Sequence, residues 1–161
     1  MQKVMIIGCP GRGKSTFARA LQAATGLPLY YLDMLYWNPD KTTVSKEVFR
    51  GRLCEILDTD AWILDGNYGS TMEMRLEKCD TVFFLDYPTR VCLDGIRTRF
   101  GKPRADMPWV ETEEDVEFLD FIKAFEAESR PKILTLLKQH PEKQVITFRS
   151  REESATYLQS L

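Results

Sequence analysis

Histidine is nearly absent from the sequence. His140 is the only one, placed between Gln139 and Pro141 at a predicted helix end, where it reads as a surface or capping residue. Histidine-based acid–base or nucleophilic catalysis is therefore not expected. Cysteine is sparse as well. Cys9, Cys54, Cys79 and Cys92 lie far apart with no C-x-x-C pair, which argues against a zinc site or a disulfide framework. They read as reduced thiols of a cytoplasmic protein and as small core residues, with Cys9 the one expected to be exposed. No excess of positive charge exists either: Lys and Arg number 22 against 24 Asp and Glu, a net charge of −2. A general nucleic-acid coat or an anionic-membrane binder would show a clear basic surplus. No apolar run approaches the roughly 20 residues of a membrane span, and the amino terminus reaches a glycine-rich turn too soon for a signal peptide. Repeats, low-complexity tracts and linkers are missing too. What remains is a chain of 161 residues, 43% apolar and 29% charged, which suits one globular domain with a sizeable core.

The turn Gly8-Cys9-Pro10-Gly11-Arg12-Gly13-Lys14-Ser15-Thr16 follows the apolar run Val4-Met5-Ile6-Ile7. Phe17, Leu21 and Ala24 come after it at helical spacing. Strand, glycine-rich loop and helix are the context that a phosphate-binding Walker A turn requires. Gly8, Gly11 and Gly13 permit backbone angles and close approaches that a Cβ would block, so successive N–H groups can curl around an anion. A helix beginning near Gly13 adds its unpaired N–H groups and positive dipole end. Lys14 is placed to reach terminal phosphates, and the Ser15 hydroxyl to ligate Mg²⁺. The alternative is a plain glycine turn, which the flanking strand and helix disfavour.

Further along, Leu29 to Leu32 reads as a second strand that ends at Asp33. From Ser45, a predicted N-cap, a helix carries Val48, Leu53, Ile56 and Leu57 as its apolar stripe. Ala61-Trp62-Ile63-Leu64 is a third strand running into Asp65-Gly66-Asn67-Tyr68-Gly69, and Met72, Met74 and Leu76 suit a short helix. Thr81 to Leu85 is the fourth strand, with Pro88 in the first turn of the next helix. Gly101, Pro103 and Pro108 break the chain into a loop. A long helix over about 112–139, with an interruption before Pro131, leads to a last strand over Gln144–Phe148 and a closing helix capped by Ser150. Alternating strands and helices predict a parallel sheet covered on both faces, with ligands at the carboxyl ends of the strands.

Four groups of residues carry candidate chemistry. Asp65 closes an apolar strand before Gly66, the arrangement that sets an acid beside the Mg²⁺ of a phosphate loop; otherwise it is a turn residue. Asn67, Tyr68 and Arg75 lie just beyond, where a phosphoryl acceptor would reach, although Arg75 also reads as a solvated helix residue. Asp33 either accepts the hydrogen bond or proton of a substrate hydroxyl or simply caps a turn. Tyr36 and Trp37 beside it either stack on a base or sugar or pack into the core. The basic cluster Arg97, Arg99, Lys102 and Arg104, joined by Arg130, is a candidate phosphate clamp on a lid over about 97–130. Its alternatives are a solvated basic face or a DNA-backbone patch, and the acidic run Glu111 to Glu117 beside it would repel phosphates.

Together these motifs resemble the adenylate-kinase-like P-loop kinases. The likeness runs through Gly8-Cys9-Pro10-Gly11-Arg12-Gly13-Lys14, the strand ending in Asp65-Gly66, and Phe84-Leu85-Asp86-Tyr87-Pro88 ahead of Arg97 and Arg99. Trp62 to Gly69, Arg75-Leu76 and Ser129-Arg130-Pro131-Lys132-Ile133 are similar to the bacterial topology modulation proteins. The resemblance covers essentially the whole chain. It implies a three-layer α/β fold with a five-stranded parallel sheet and a short lid, ATP and Mg²⁺ as cofactors, and a small phosphoryl acceptor. Lys14, Arg97, Arg99 and Arg130 would then stabilise the transferred group, Ser15 and Asp65 hold Mg²⁺, and Asp33 orients the acceptor. Asn67-Tyr68-Gly69 stands where adenylate kinases carry Phe-Pro-Arg, so the arginine that holds a nucleoside monophosphate is missing from its usual place. The other class of function is a nucleotide-binding regulator acting on DNA topology or on a protein partner.

Overall fold

The strands are β1 Lys3–Gly8, β2 Leu29–Tyr31, β3 Trp62–Asp65, β4 Thr81–Leu85 and β5 Gln144–Phe148. The computed structural model describes residues 1–8, 13–88, 90–91, 108 and 116–161, except the side chains of 116–119 and 121–123. The five strands form one sheet in the order β2-β3-β1-β4-β5, and every neighbouring pair is parallel. Among the described residues the helices are α1 Lys14–Thr25, α2 Leu32–Tyr36, α3 Lys46–Leu57, α4 Gly69–Lys78, α5 Val116–Lys138 and α6 Arg151–Gln159.

Alternation along the strands sends side chains to two cores. Val4, Ile6, Ile63, Phe83 and Leu85 meet Phe17, Ala18 and Leu21 of α1, with Tyr157 of α6 at the margin. Met5, Ile7, Trp62, Leu64, Val82 and Phe84 meet Phe49 and Leu53 of α3, Met72 and Leu76 of α4, and Phe125 and Ile133 of α5. Burial on both faces explains why these strands read as unbroken apolar runs rather than alternating ones. Each such side chain adds about 1.5–3 kcal/mol of transfer free energy. The result is the three-layer α/β arrangement that the sequence predicts.

Local chemistry sets the ends of the elements. Ser45 and Ser150 accept hydrogen bonds from the Val48 and Glu153 N–H groups, capping α3 and α6. Gly26 closes α1 in the left-handed region, with φ 74° and its N–H on the Gln22 carbonyl. Asp80 accepts from the Gln2 and Lys3 N–H groups, both at 2.9 Å, and so fastens the start of β1 beside β4.

Several expectations are corrected. Strand β2 ends at Tyr31, and Leu32 opens the short helix α2. Leu32 is fully buried, so its apolar character serves a core contact rather than a longer strand. The stripe of α3 runs through Phe49, while Val48 is 45% exposed. Ala18, not Ala24, completes the buried face of α1. Cys54 is exposed and Cys79 is buried. Helix α5 continues through Pro131, so the described part of the expected lid, from Val116 on, is helical. Cys9 and Cys92 lie outside the described residues.

Candidate active site

The register brings the carboxyl ends of the strands together. Asp65 pairs with Ile6 on one side and with Tyr31 on the other, Gly8 pairs with Leu85, and Leu85 with Phe148. The acids that follow or close three of these strands, Asp33, Asp65 and Asp86, therefore flank the turn leaving β1. This is the end of a parallel sheet at which ligands bind.

The described ends of that turn, Gly8 and Gly13, have the backbone its motif demands. Gly8 has φ 151°, and a Cβ there would lie 2.5 Å from the Leu85 carbonyl oxygen, a backbone atom that cannot step aside. Gly13 precedes α1 in the left-handed region with φ 81°, a conformation that costs glycine nothing. Among the described residues no side chain caps α1, and no acid occupies its first turn, which suits its N–H groups to an anion. Lys14 is half-buried at the first position of α1 and Thr16 is exposed. Cys9, Pro10, Gly11 and Arg12 lie outside the described residues.

Ser15 and Asp65, fifty residues apart, meet at this end of the sheet. The Ser15 hydroxyl donates to Asp65 Oδ2 at 2.8 Å, and the residues are 9% and 5% exposed. A hydroxyl and a carboxylate are both hard oxygen donors, the kind that Mg²⁺ selects. The pair fits the metal expected beside a phosphate loop.

The loop after β3 is held from three sides. Gly66 has φ 145°, and a Cβ there would meet Leu32 Cβ at 2.9 Å. The Asn67 side-chain amide grips Gly8: its Oδ1 accepts from the Gly8 N–H at 3.0 Å and its Nδ2 donates to the Gly8 carbonyl at 2.5 Å. Tyr68 adopts φ 39° and ψ 72°, a left-handed conformation that a bulky residue adopts at a cost. Its hydroxyl donates to Asp33 Oδ1 at 2.5 Å, within the range of a charge-assisted O–H···O⁻ bond. Burial, and then the Asp33 charge, push the Tyr68 phenol far above its ordinary value. It stays protonated and donating.

Arg75 lies beneath this loop with no exposed surface, which excludes the solvated reading. Its guanidinium donates to the carbonyls of Gly66 at 3.0 Å, of Asn67, and of Tyr68 at 3.2 Å, and its Nε to Thr71 Oγ1 at 3.3 Å. Burial pulls it down to about 9, opposed in part by the Asp65 carboxylate, so it remains cationic at neutral pH.

Asp33 lies in the first turn of α2 rather than at a strand end. Tyr36 packs edge-on against Trp37, Phe49 and Tyr68, with ring centroids 5.6, 5.3 and 5.2 Å away. Packing thus engages Tyr36 on several sides. On the other flank, Arg130 forks onto Asp86: Nε lies 2.9 and 3.0 Å from the two carboxylate oxygens, and Nη2 lies 2.9 Å from Oδ2. This bond holds the Arg130 guanidinium above its ordinary value. Arg149 Nη1 reaches Asp86 Oδ2 at 4.0 Å.

Of the predicted site residues, the structure therefore gathers Gly8, Gly13, Lys14, Ser15, Asp65 and Asn67 around one turn, and Asp33 with Tyr68 beside it. Asn67, expected to face an acceptor, bonds the backbone of Gly8, and Arg75 bonds the carbonyls of 66–68 and the Thr71 hydroxyl. Arg130, expected at the transferred group, is held by Asp86. Arg97, Arg99, Lys102 and Arg104 lie outside the described residues. Asp86, which holds Arg130, directly follows an apolar strand, the position from which Asp65 reads as a candidate.

No protein-family profile and no curated protein matches the sequence. Solved structures do match the fold. Shikimate kinase from Bacteroides thetaiotaomicron superposes with a TM-score of 0.63 at 20% identity, over 98% of this chain and 94% of that one. Shikimate kinase from Acinetobacter baumannii, solved in complex with shikimate, gives 0.62 at 16% identity, over 99% and 92%. The chain shares the α/β fold of these structures along essentially its whole length.

Proposed function

We propose that this protein is an ATP-dependent phosphotransferase that moves the terminal phosphoryl group of ATP to a hydroxyl of a small molecule. The observation that carries the proposal is the 2.8 Å contact between Ser15 and Asp65 at the mouth of the glycine turn. A hydroxyl at the second position of the first helix, set against a buried acid from the neighbouring strand, is the metal-side half of a phosphoryl-transfer site. The fold likeness to two kinases supports the same reading.

The chain's residues then divide the work. The N–H groups of the first turn of α1, with Lys14, hold the nucleotide phosphates. Ser15 and Asp65 would hold Mg²⁺, which would neutralise phosphate charge when bound. Asp33 accepts the proton of the acceptor hydroxyl, and the Tyr68 hydroxyl holds that carboxylate in place. Arg97, Arg99 and Arg130 supply cations to the migrating group, and Arg130 must leave Asp86 to do so. The cytoplasm, where ATP is abundant and thiols stay reduced, is the compartment this reading implies. Kinship with the topology modulation proteins is part of it, on residues 62–69 and 129–133.

The test is an ADP-release screen with Mg·ATP over nucleosides, nucleotides, sugars and small alcohols. At least one acceptor should raise ADP formation well above the acceptor-free rate, and Lys14→Ala should abolish the increment. A folded protein with no acceptor-dependent increment contradicts the proposal.

A further inference from the structure

The residues beyond Asp65 have work that an acceptor-binding role does not describe. Tyr68 sits in a left-handed conformation that is unfavourable for an L-residue of its size, so its surroundings must enforce it. Three consecutive carbonyls, those of Gly66, Asn67 and Tyr68, converge on the single guanidinium of Arg75. Thr71 closes the arrangement, accepting from Arg75 Nε and donating to the Tyr68 carbonyl at 3.0 Å. A charged donor with no exposed surface presents nothing to a solute. Its described bonds go to the loop wrapped around it and to Thr71, and burying it without those carbonyls would be prohibitive.

Two side chains leave this loop in different directions. Asn67 clamps both backbone polar groups of Gly8, the first residue of the phosphate turn. Tyr68 holds Asp33. We infer that Arg75 is a positioning residue for both halves of the site: by gathering the carbonyls of 66–68 it sets Asn67 on Gly8 and Tyr68 on Asp33. Asn67 is accordingly the residue that fixes the start of the phosphate turn, and neither Asn67 nor Arg75 is an acceptor ligand. The inference rests on nucleotide binding at this turn, as proposed above, but not on any acceptor.

The test measures Mg·ADP affinity by calorimetry in the full chain, so it stands whether or not a phosphoryl acceptor is found. Asn67→Ala removes both bonds to Gly8 and should weaken Mg·ADP binding about tenfold, as expected for two hydrogen bonds of ordinary net strength, while the protein still melts cooperatively. Arg75→Lys keeps the charge but loses the fork, and should weaken binding to a similar degree. Because Arg75 acts through Asn67, the double variant should bind no worse than about twofold below the weaker single variant. A merely structural arginine would instead give independent losses that multiply. If Arg75→Lys does not fold, Thr71→Val takes its place in the same cycle, since it removes the hydroxyl that bridges Arg75 Nε and the Tyr68 carbonyl. Mg·ADP affinity of Asn67→Ala within twofold of wild type, or losses that multiply, overturns the inference and leaves the functional proposal standing. A wild-type protein that binds no Mg·ADP overturns both.

Discussion

Arg130→Ala offers the sharpest energetic test of the packing around the site. Asp86 has a side chain only 3% exposed, and Arg130, 28% exposed, is its bidentate partner. Removing one partner of a buried ion pair leaves an uncompensated charge and costs about 3–5 kcal/mol. Two features reduce that figure here. The arginine end is partly solvated, and Arg149 stands 4.0 Å from the same carboxylate oxygen, ready to take up part of the charge. About 2–3 kcal/mol is then expected. At about 2–4 °C per kcal/mol for a domain of this size, Tm should fall by about 4–12 °C. The control is the same substitution in an Asp86→Asn background, where the buried charge is gone and the further loss should be below about 1 kcal/mol. Thermal and urea melts followed by circular dichroism at neutral pH give both numbers. A loss under about 1 kcal/mol in wild type, or an equal loss in both backgrounds, refutes the claim that this pair is energetically coupled.

Other consequences follow from particular contacts. Gly8→Ala drives a Cβ to 2.5 Å from the Leu85 carbonyl; it should cost about 3 kcal/mol or more, read by urea melts, because backbone must move. Ser45→Ala removes the hydroxyl that accepts from Val48 N–H and should cost about 1 kcal/mol by the same assay. Asp80 is held below its usual value: burial alone would raise it, but bonds from Thr81, Lys3 and Gln2 outweigh that. Its contribution is therefore complete above its unfolded value, near 3.8, and is lost as pH falls through the lower folded value. Asp80→Asn should cost stability at neutral pH, and the difference from wild type should shrink in melts at pH 3 and below.

Much of this architecture was legible in the order of residues. Strands buried on both faces announce themselves as short apolar runs, and the glycine turn, Ser45 and Ser150 carry local signals that need no tertiary information. Asp65 was legible for the same reason: an acid directly after such a run has nowhere to go but the sheet's end. Three things were not. Leu32 looks like one more strand residue because a buried helix position and a buried strand position demand the same side chain. Arg75 reads as solvated because burial of a guanidinium depends on carbonyls gathered around it by the fold. The pairings of Asn67 with Gly8 and of Arg130 with Asp86 span 59 and 44 residues, and no local pattern encodes such distances. Asn67 reads as an acceptor ligand from its position past Asp65, because the sequence does not show that Gly8 is its partner.

Phosphorus NMR of a reaction mixture distinguishes transfer to a small acceptor from hydrolysis or mere binding of ATP. With Mg·ATP and the acceptor that most stimulates ADP release, a new phosphomonoester resonance should grow in step with ADP. Asp33→Asn, which keeps the shape but not the base, should slow that growth by about two orders of magnitude or more. Growth of inorganic phosphate alone, or a phosphomonoester formed at the wild-type rate without the Asp33 carboxylate, would contradict the account.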